Sequence, residues 1–91
     1  MSYRIRFHPA ARKEFLALDR QIRDRISPRV NALADAPRPP HTERLRGTLR
    51  GLRKLRVGSY RVAYAVDDDA QVVTVTEVGH RRDICRRAAR R

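Results

Sequence analysis

Lys54, Arg56 and Arg61 are the residues whose types and spacing point most directly to chemistry. They lie in LRKLRVGSYRVAY (residues 52–64), where apolar and basic residues alternate on either side of Gly58-Ser59. Glycine at the first central position suits a two-residue type II′ turn, so the stretch reads as a tight β-hairpin. That turn sets Val57 opposite Tyr60, Arg56 opposite Arg61, Leu55 opposite Val62 and Lys54 opposite Ala63. Side chains alternate faces along a strand, so Leu55, Val57, Tyr60, Val62 and Tyr64 share one face. Lys54, Arg56 and Arg61 share the other. Like charges directly opposite on a sheet repel by up to roughly 1 kcal/mol. An anion docked between the two arginines would offset that repulsion, and phosphate matches the guanidinium fork. A solvated polar face whose charges point apart is the alternative.

The chemistry such a cluster could serve is cleavage of RNA by in-line attack of a 2′-hydroxyl. That reaction needs charge stabilisation at the phosphate and proton transfer at both oxygens. Arg56 and Arg61, with Lys54 nearby, suit the first need through preorganised electrostatics. They do not suit the second, because arginine stays protonated in proteins. His80 is the side chain of this region whose ordinary pKa lies near neutrality. Strand alternation puts it on the face of Thr76 near the hairpin end; a partly buried turn histidine is the other reading. Tyr60, Tyr64, Phe7 and Phe15 all fall on apolar faces. With few aromatics facing the cations, a single-strand stacking module is disfavoured. His8 and His41 have no evident partners and read as incidental.

Composition agrees with a polyanionic partner. The 91 residues carry 22 Lys plus Arg against 10 Asp plus Glu, a net charge of +12. Such a balance implies nucleic acid, an acidic protein, or both. The length suits one domain spanning residues 1–91, with a modest core. The single cysteine, Cys85, cannot form an internal disulfide, and no Cys/His cluster has zinc spacing. No metal or other cofactor is expected. There is no apolar leader-like stretch and no run long enough to cross a membrane, so a cytoplasmic protein without membrane contact is expected.

The remaining elements are those that must carry the hairpin. Tyr3, Ile5 and Phe7 alternate with Arg4 and Arg6 as a first strand with one buried face. Pro9 opens a helix to about Leu18, with Ala11, Phe15 and Leu18 on one side. Asp19 is a fitting N-cap for a second helix to Asp35 or Ala36, with the stripe Ile22, Ile26, Val30 and Leu33. Pro28 interrupts that stripe, but the apolar spacing continues across it, which predicts a kinked helix rather than two. Pro37-Arg38-Pro39-Pro40 then opens an irregular connection. The run Asp67-Asp68-Asp69 reads as a solvated turn, and residues 72–79 as a β-branched last strand. Pairing Val66 with Gln71 would put Val73 and Val75 on the core face and Thr74 and Thr76 on the Arg61 face. A basic tail or short helix follows. The expected fold is α+β: a four-stranded, mainly antiparallel sheet, β-α-α-β-β-β, with both helices on one face and cations on the other.

The segment from Leu45-Arg46-Gly47 through LRKLRVGSYRVAYAVDDDAQVVTVTEVGHRRDIC resembles the RelE/ParE superfamily of bacterial toxins, and the upstream β-α-α order also fits. The blocks RVGSYRVAY and VGHRRD together carry the likeness, which is nearer to the RelE branch. That branch cleaves mRNA in the ribosomal A site with a basic sheet face. The resemblance implies a type II toxin–antitoxin toxin that acts as a ribosome-dependent mRNA endoribonuclease. It places Lys54, Arg61 and Arg81 on the family's basic catalytic positions, Arg61 at the transition-state phosphate. Two departures stand out: Leu52 replaces a family lysine, and Cys85 replaces the tyrosine usual near the end of the HRRD-type block. A thiol cannot stack on a base, although a thiolate can accept a proton; His80 and Cys85 are therefore candidates for the proton-transfer role. Arg46, Arg53, Arg56 and Arg82 are the accompanying RNA-binding candidates. Implied partners are the ribosome with its rRNA and mRNA, and an antitoxin that forms a hetero-oligomer with the toxin. The alternatives are a ParE-like gyrase poison and a catalytically inactive basic binding module.

Overall fold

The computed structural model describes residues 2–39, 42–44 and 52–80. Among them the order is β1 (Arg4–Phe7), α1 (Pro9–Leu16), α2 (Arg20–Asn31), β2 (Glu43–Arg44), β3 (Arg53–Val57), β4 (Tyr60–Asp67) and β5 (Val72–His80). A 3-10 turn over Ala32–Ala34 follows α2. The strands form one sheet in the order β1-β5-β4-β3-β2. All pairs are antiparallel except β1 with β5, which is parallel. The expected α+β architecture is therefore present, and the two-residue β2 adds a fifth strand at one edge. The expected C-terminal helix or tail falls in residues 81–91, outside the described residues.

Each helix begins and ends for a local reason. Pro9 opens α1, where a missing N–H is harmless. The Ala10 N–H donates to His8 Nδ1 at 3.1 Å, so His8, read as incidental, is the helix cap. Asp19 stands at the N-cap of α2, although its side chain makes no capping hydrogen bond. The helix runs through Pro28 as expected and tightens into the 3-10 turn. An interior proline costs ~3 kcal/mol. Ile26, Val30 and Leu33 are all buried, at about 1.5–3 kcal/mol each, so burial of the stripe outweighs the proline.

Both helices cover the same face of the sheet. Ala11, Phe15, Leu18, Ile22, Ile26, Val30 and Leu33 pack on Leu55, Val57, Val62, Tyr64, Val73, Val75 and Val78. Tyr64 is fully buried, and its hydroxyl donates to the Pro37 carbonyl at 2.8 Å, pinning the proline-rich connection to the core. At the other end of the sheet, Asp68 accepts from Tyr3 Oη at 2.7 Å and from both Arg38 terminal nitrogens at 3.0 and 2.8 Å. The aspartate turn is thus more than a solvated loop. The Arg38 and Tyr3 hydrogen bonds hold the Asp68 carboxyl at about 2, and the same bond pushes the Tyr3 hydroxyl upward.

Candidate functional site

The hairpin has the register its turn demands. Val57 pairs with Tyr60, Arg56 with Arg61, Leu55 with Val62 and Lys54 with Ala63. Gly58 has φ +60° and Ser59 is not in the positive-φ region, as a type II′ turn requires. Lys54, Arg56 and Arg61 consequently share the face opposite the helices, with Arg56 directly across from Arg61. Arg56 is exposed, whereas Lys54 and Arg61 are half-buried. The Arg61 Nε is buried and donates no hydrogen bond.

β4 and β5 pair differently from the expectation. Val66 lies opposite Val73 rather than Gln71, because residues 68–71 form a longer turn. Asp67 Oδ1 accepts the Ala70 N–H at 3.0 Å, and Gln71 closes the turn at φ 55°. Val73 and Val75 face the core and Thr74 lies beside Ala65 on the outer face, as expected. Beyond them the register shifts: Tyr64 pairs with Val75 but Ala63 with Glu77, leaving Thr76 as the extra residue of a β-bulge. The Thr76 hydroxyl donates to the Ala63 carbonyl at 3.3 Å.

The bulge inverts the alternation for the rest of the strand. Val78 enters the core opposite Val62, its N–H donating to Glu14 Oε1 at 3.2 Å. Glu77 takes the cationic face beside Ala63 and is fully buried. His80 pairs with Tyr60 on the helix-covered face, the two rings edge to face at 5.9 Å. The expectation that His80 shares the cationic face is corrected by this inversion. Arg53, listed among the RNA-binding candidates, falls by ordinary strand alternation on the helix-covered side of β3. It pairs with Tyr64, and its guanidinium donates to Thr42 Oγ1 at 3.1 Å and the Thr42 carbonyl at 3.3 Å, so it braces the β2–β3 edge. Arg46, Arg81, Arg82 and Cys85 lie outside the described residues.

Parallel pairing of β1 with β5 adds two cations to the face. Arg4 aligns with Val72 and Arg6 with Thr74, while Ile5 and Phe7 align with core residues Val73 and Val75. Arg4 and Arg6 are both exposed and share the outer face with Lys54, Arg56 and Arg61. Their alternation with Tyr3, Ile5 and Phe7 was visible in the sequence, but not which strand they would join. Among the described residues no cluster of His, Cys, Asp or Glu could hold a metal ion. No helix there is long and apolar enough to cross a membrane. What the arrangement can do is grip a phosphate backbone: five cations on three strands, two of them half-buried.

Relatives share the sequence and the fold. The family described as ParE toxin of type II toxin-antitoxin system, parDE, matches residues 5–85. Toxin RelG of Mycobacterium tuberculosis is 35% identical over 89 residues, covering 96% of this chain and 100% of RelG. Among solved structures, the toxin–antitoxin complex RelBE2 of the same organism aligns with a TM-score of 0.77 at 29% identity, covering 89% of this chain and 100% of that one. The intact RelBE toxin–antitoxin complex of E. coli aligns at 0.72 and 31% identity, covering 87% and 96%. With the β-α-α-β order, the RVGSYRVAY hairpin and these matches, the chain belongs to the RelE/ParE superfamily of type II toxin–antitoxin toxins.

Proposed function

We propose that this toxin is a ribosome-dependent mRNA endoribonuclease and that Arg61 is the residue at its scissile phosphate. The observation that carries the reading is the convergence of Lys54, Arg56 and Arg61 from two strands in a register that a two-residue turn fixes. An Arg61 guanidinium held in partial burial suits stabilisation of charge that develops on the phosphate oxygens. Lys54 and Arg81 hold the flanking backbone, and Arg56 contacts the substrate from the exposed side. Arg4 and Arg6 extend the cationic track toward β1, and Arg46 and Arg82 belong to the same set of RNA contacts. His80 lies against Tyr60 rather than on this face, which leaves Cys85 as the candidate for the proton-transfer role that a tyrosine fills in RelE-like enzymes. Identity of about 30% or more to several RelE toxins supports the same branch.

The partner that controls the toxin is an antitoxin, as in the RelBE complexes. A net charge of +12 favours an acidic segment that masks the cationic face. The second reading, poisoning of DNA gyrase, is favoured by the ParE description of the matching family. Mapping mRNA 5′ ends on translating ribosomes, beside a gyrase supercoiling assay, separates the two. New cuts in the ribosomal A site with supercoiling intact are expected; intact mRNA with inhibited supercoiling would transfer the protein to the gyrase reading.

A further inference from the structure

Glu77 is a fully buried carboxylate on the cationic face, and the mechanism above gives it no part. A carboxylate withdrawn from water is strongly destabilising unless nearby cations offset it; without them the group takes up a proton instead. Strict alternation from Val73 and Val75 would aim Glu77 into the apolar core. The bulge at Thr76 turns it to the opposite face instead, and bulges re-aim side chains in this way beside functional sites. There Glu77 pairs with Ala63, Ala63 pairs with Lys54, and Arg61 lies diagonally across from Glu77. Between them Ala63 presents only a methyl group, fully buried and packed against Leu52. Diagonal neighbours on an antiparallel pair are within reach of long side chains.

We infer that Glu77 is a positioning residue, a buried counter-charge that holds the Lys54 ammonium and the Arg61 guanidinium in place. A scissile phosphate then meets preorganised cations rather than ones splayed by the Arg56–Arg61 repulsion. The catalytic consequence rests on the endoribonuclease reading; the coupling between Glu77 and its cations does not.

Glu77→Gln keeps the shape and removes the charge. Added positive charge strengthens polyanion binding in general, whereas lost positioning slows the chemical step, so the two effects have opposite signs. With the full chain on translating ribosomes, single-turnover cutting is expected to slow at least tenfold while affinity for RNA is unchanged or tighter. Unchanged cutting, or cutting and affinity that fall together with the melting temperature, would overturn the inference. A thermal-melting cycle of Glu77→Gln, Lys54→Met and the double variant reads the coupling without any cutting. The double variant is expected to melt at or above Lys54→Met alone, because the stranded carboxylate is gone. Melting below Lys54→Met would overturn the inference, and it would do so even for a chain that cuts no RNA.

Discussion

The two faces of the sheet are built from the same strands and do opposite things. On the helix-covered face, Leu55, Val62, Tyr64, Val73, Val75 and Val78 are withdrawn from water and closely packed. On the other, Lys54, Arg56 and Arg61 alternate with those same residues and are joined by Arg4 and Arg6 from β1. A one-residue slip would exchange the faces wholesale, so register is the property on which fold and site both depend. The difference teaches that substitutions one residue apart should separate stability from activity. Glu77 is the charged exception, since it belongs to the cationic face and is buried as deeply as the core, beside the buried Ala63 and Leu52.

The largest effect should come from the core. Leu55→Ala removes a fully buried side chain and is expected to cost about 2–5 kcal/mol. Denaturant unfolding measures this directly. A cost comparable to that of a surface change would mean that the two faces are not divided as described. Next is the turn that sets the register. Gly58 has φ +60° and open space where a side chain would begin, so Gly58→Ala meets backbone strain rather than a clash. A loss of about 1–2 kcal/mol is expected from the same unfolding measurement, whereas Ser59→Ala should be near neutral.

Smaller effects should appear on the cationic face away from its centre. Arg4→Ala or Arg6→Ala should leave melting unchanged and weaken RNA binding. Each should lower the slope of log affinity against log salt by roughly 1. Arg53→Ala, bound to Thr42 on the other face, should leave that slope alone; an equal drop would contradict the assignment of Arg53 to the edge brace.

The smallest effect belongs to the Tyr3–Asp68–Arg38 clamp. The Asp68 carboxyl ionises at about 2 in the folded chain against 3.8 otherwise, through its bonds to Arg38 and then Tyr3. A lowered carboxyl gives stability that is present above the unfolded value and lost as pH falls through the folded one. The clamp should therefore hold above about pH 4 and fail toward pH 2. An acid-unfolding series should show Asp68→Asn closing the gap to wild type across that window. A constant gap down to pH 2 would remove the clamp from the account.

The hairpin was legible in the sequence because a two-residue turn leaves one register, and Gly58-Ser59 announces that turn. The helix-covered core was legible for a similar reason, since the stripe from Ile22 to Leu33 keeps its period across Pro28. The β4–β5 register was not. Its turn closes on Gln71 in a left-handed conformation for which glycine or asparagine would be the usual signal. The bulge at Thr76 has no sequence mark of its own, and a shift of one residue there was enough to misplace His80. Glu77 was a hint of it: a charged residue in step with Val73 and Val75 fits no core unless the strand changes phase. Arg4 and Arg6 were visible as an alternating pair. Their place on the cationic face depends on parallel pairing with β5, a contact between distant segments that local pattern does not reveal.

The most direct test of the central claim is single-turnover cleavage of mRNA on translating ribosomes by the wild-type chain and by Arg61→Ala. The expected result is a loss of roughly a hundredfold or more in rate, in the range for removing one preorganised donor at a developing charge, from a variant that still melts cooperatively. Undiminished cutting by Arg61→Ala would contradict the assignment of the cationic face as the site of the chemistry.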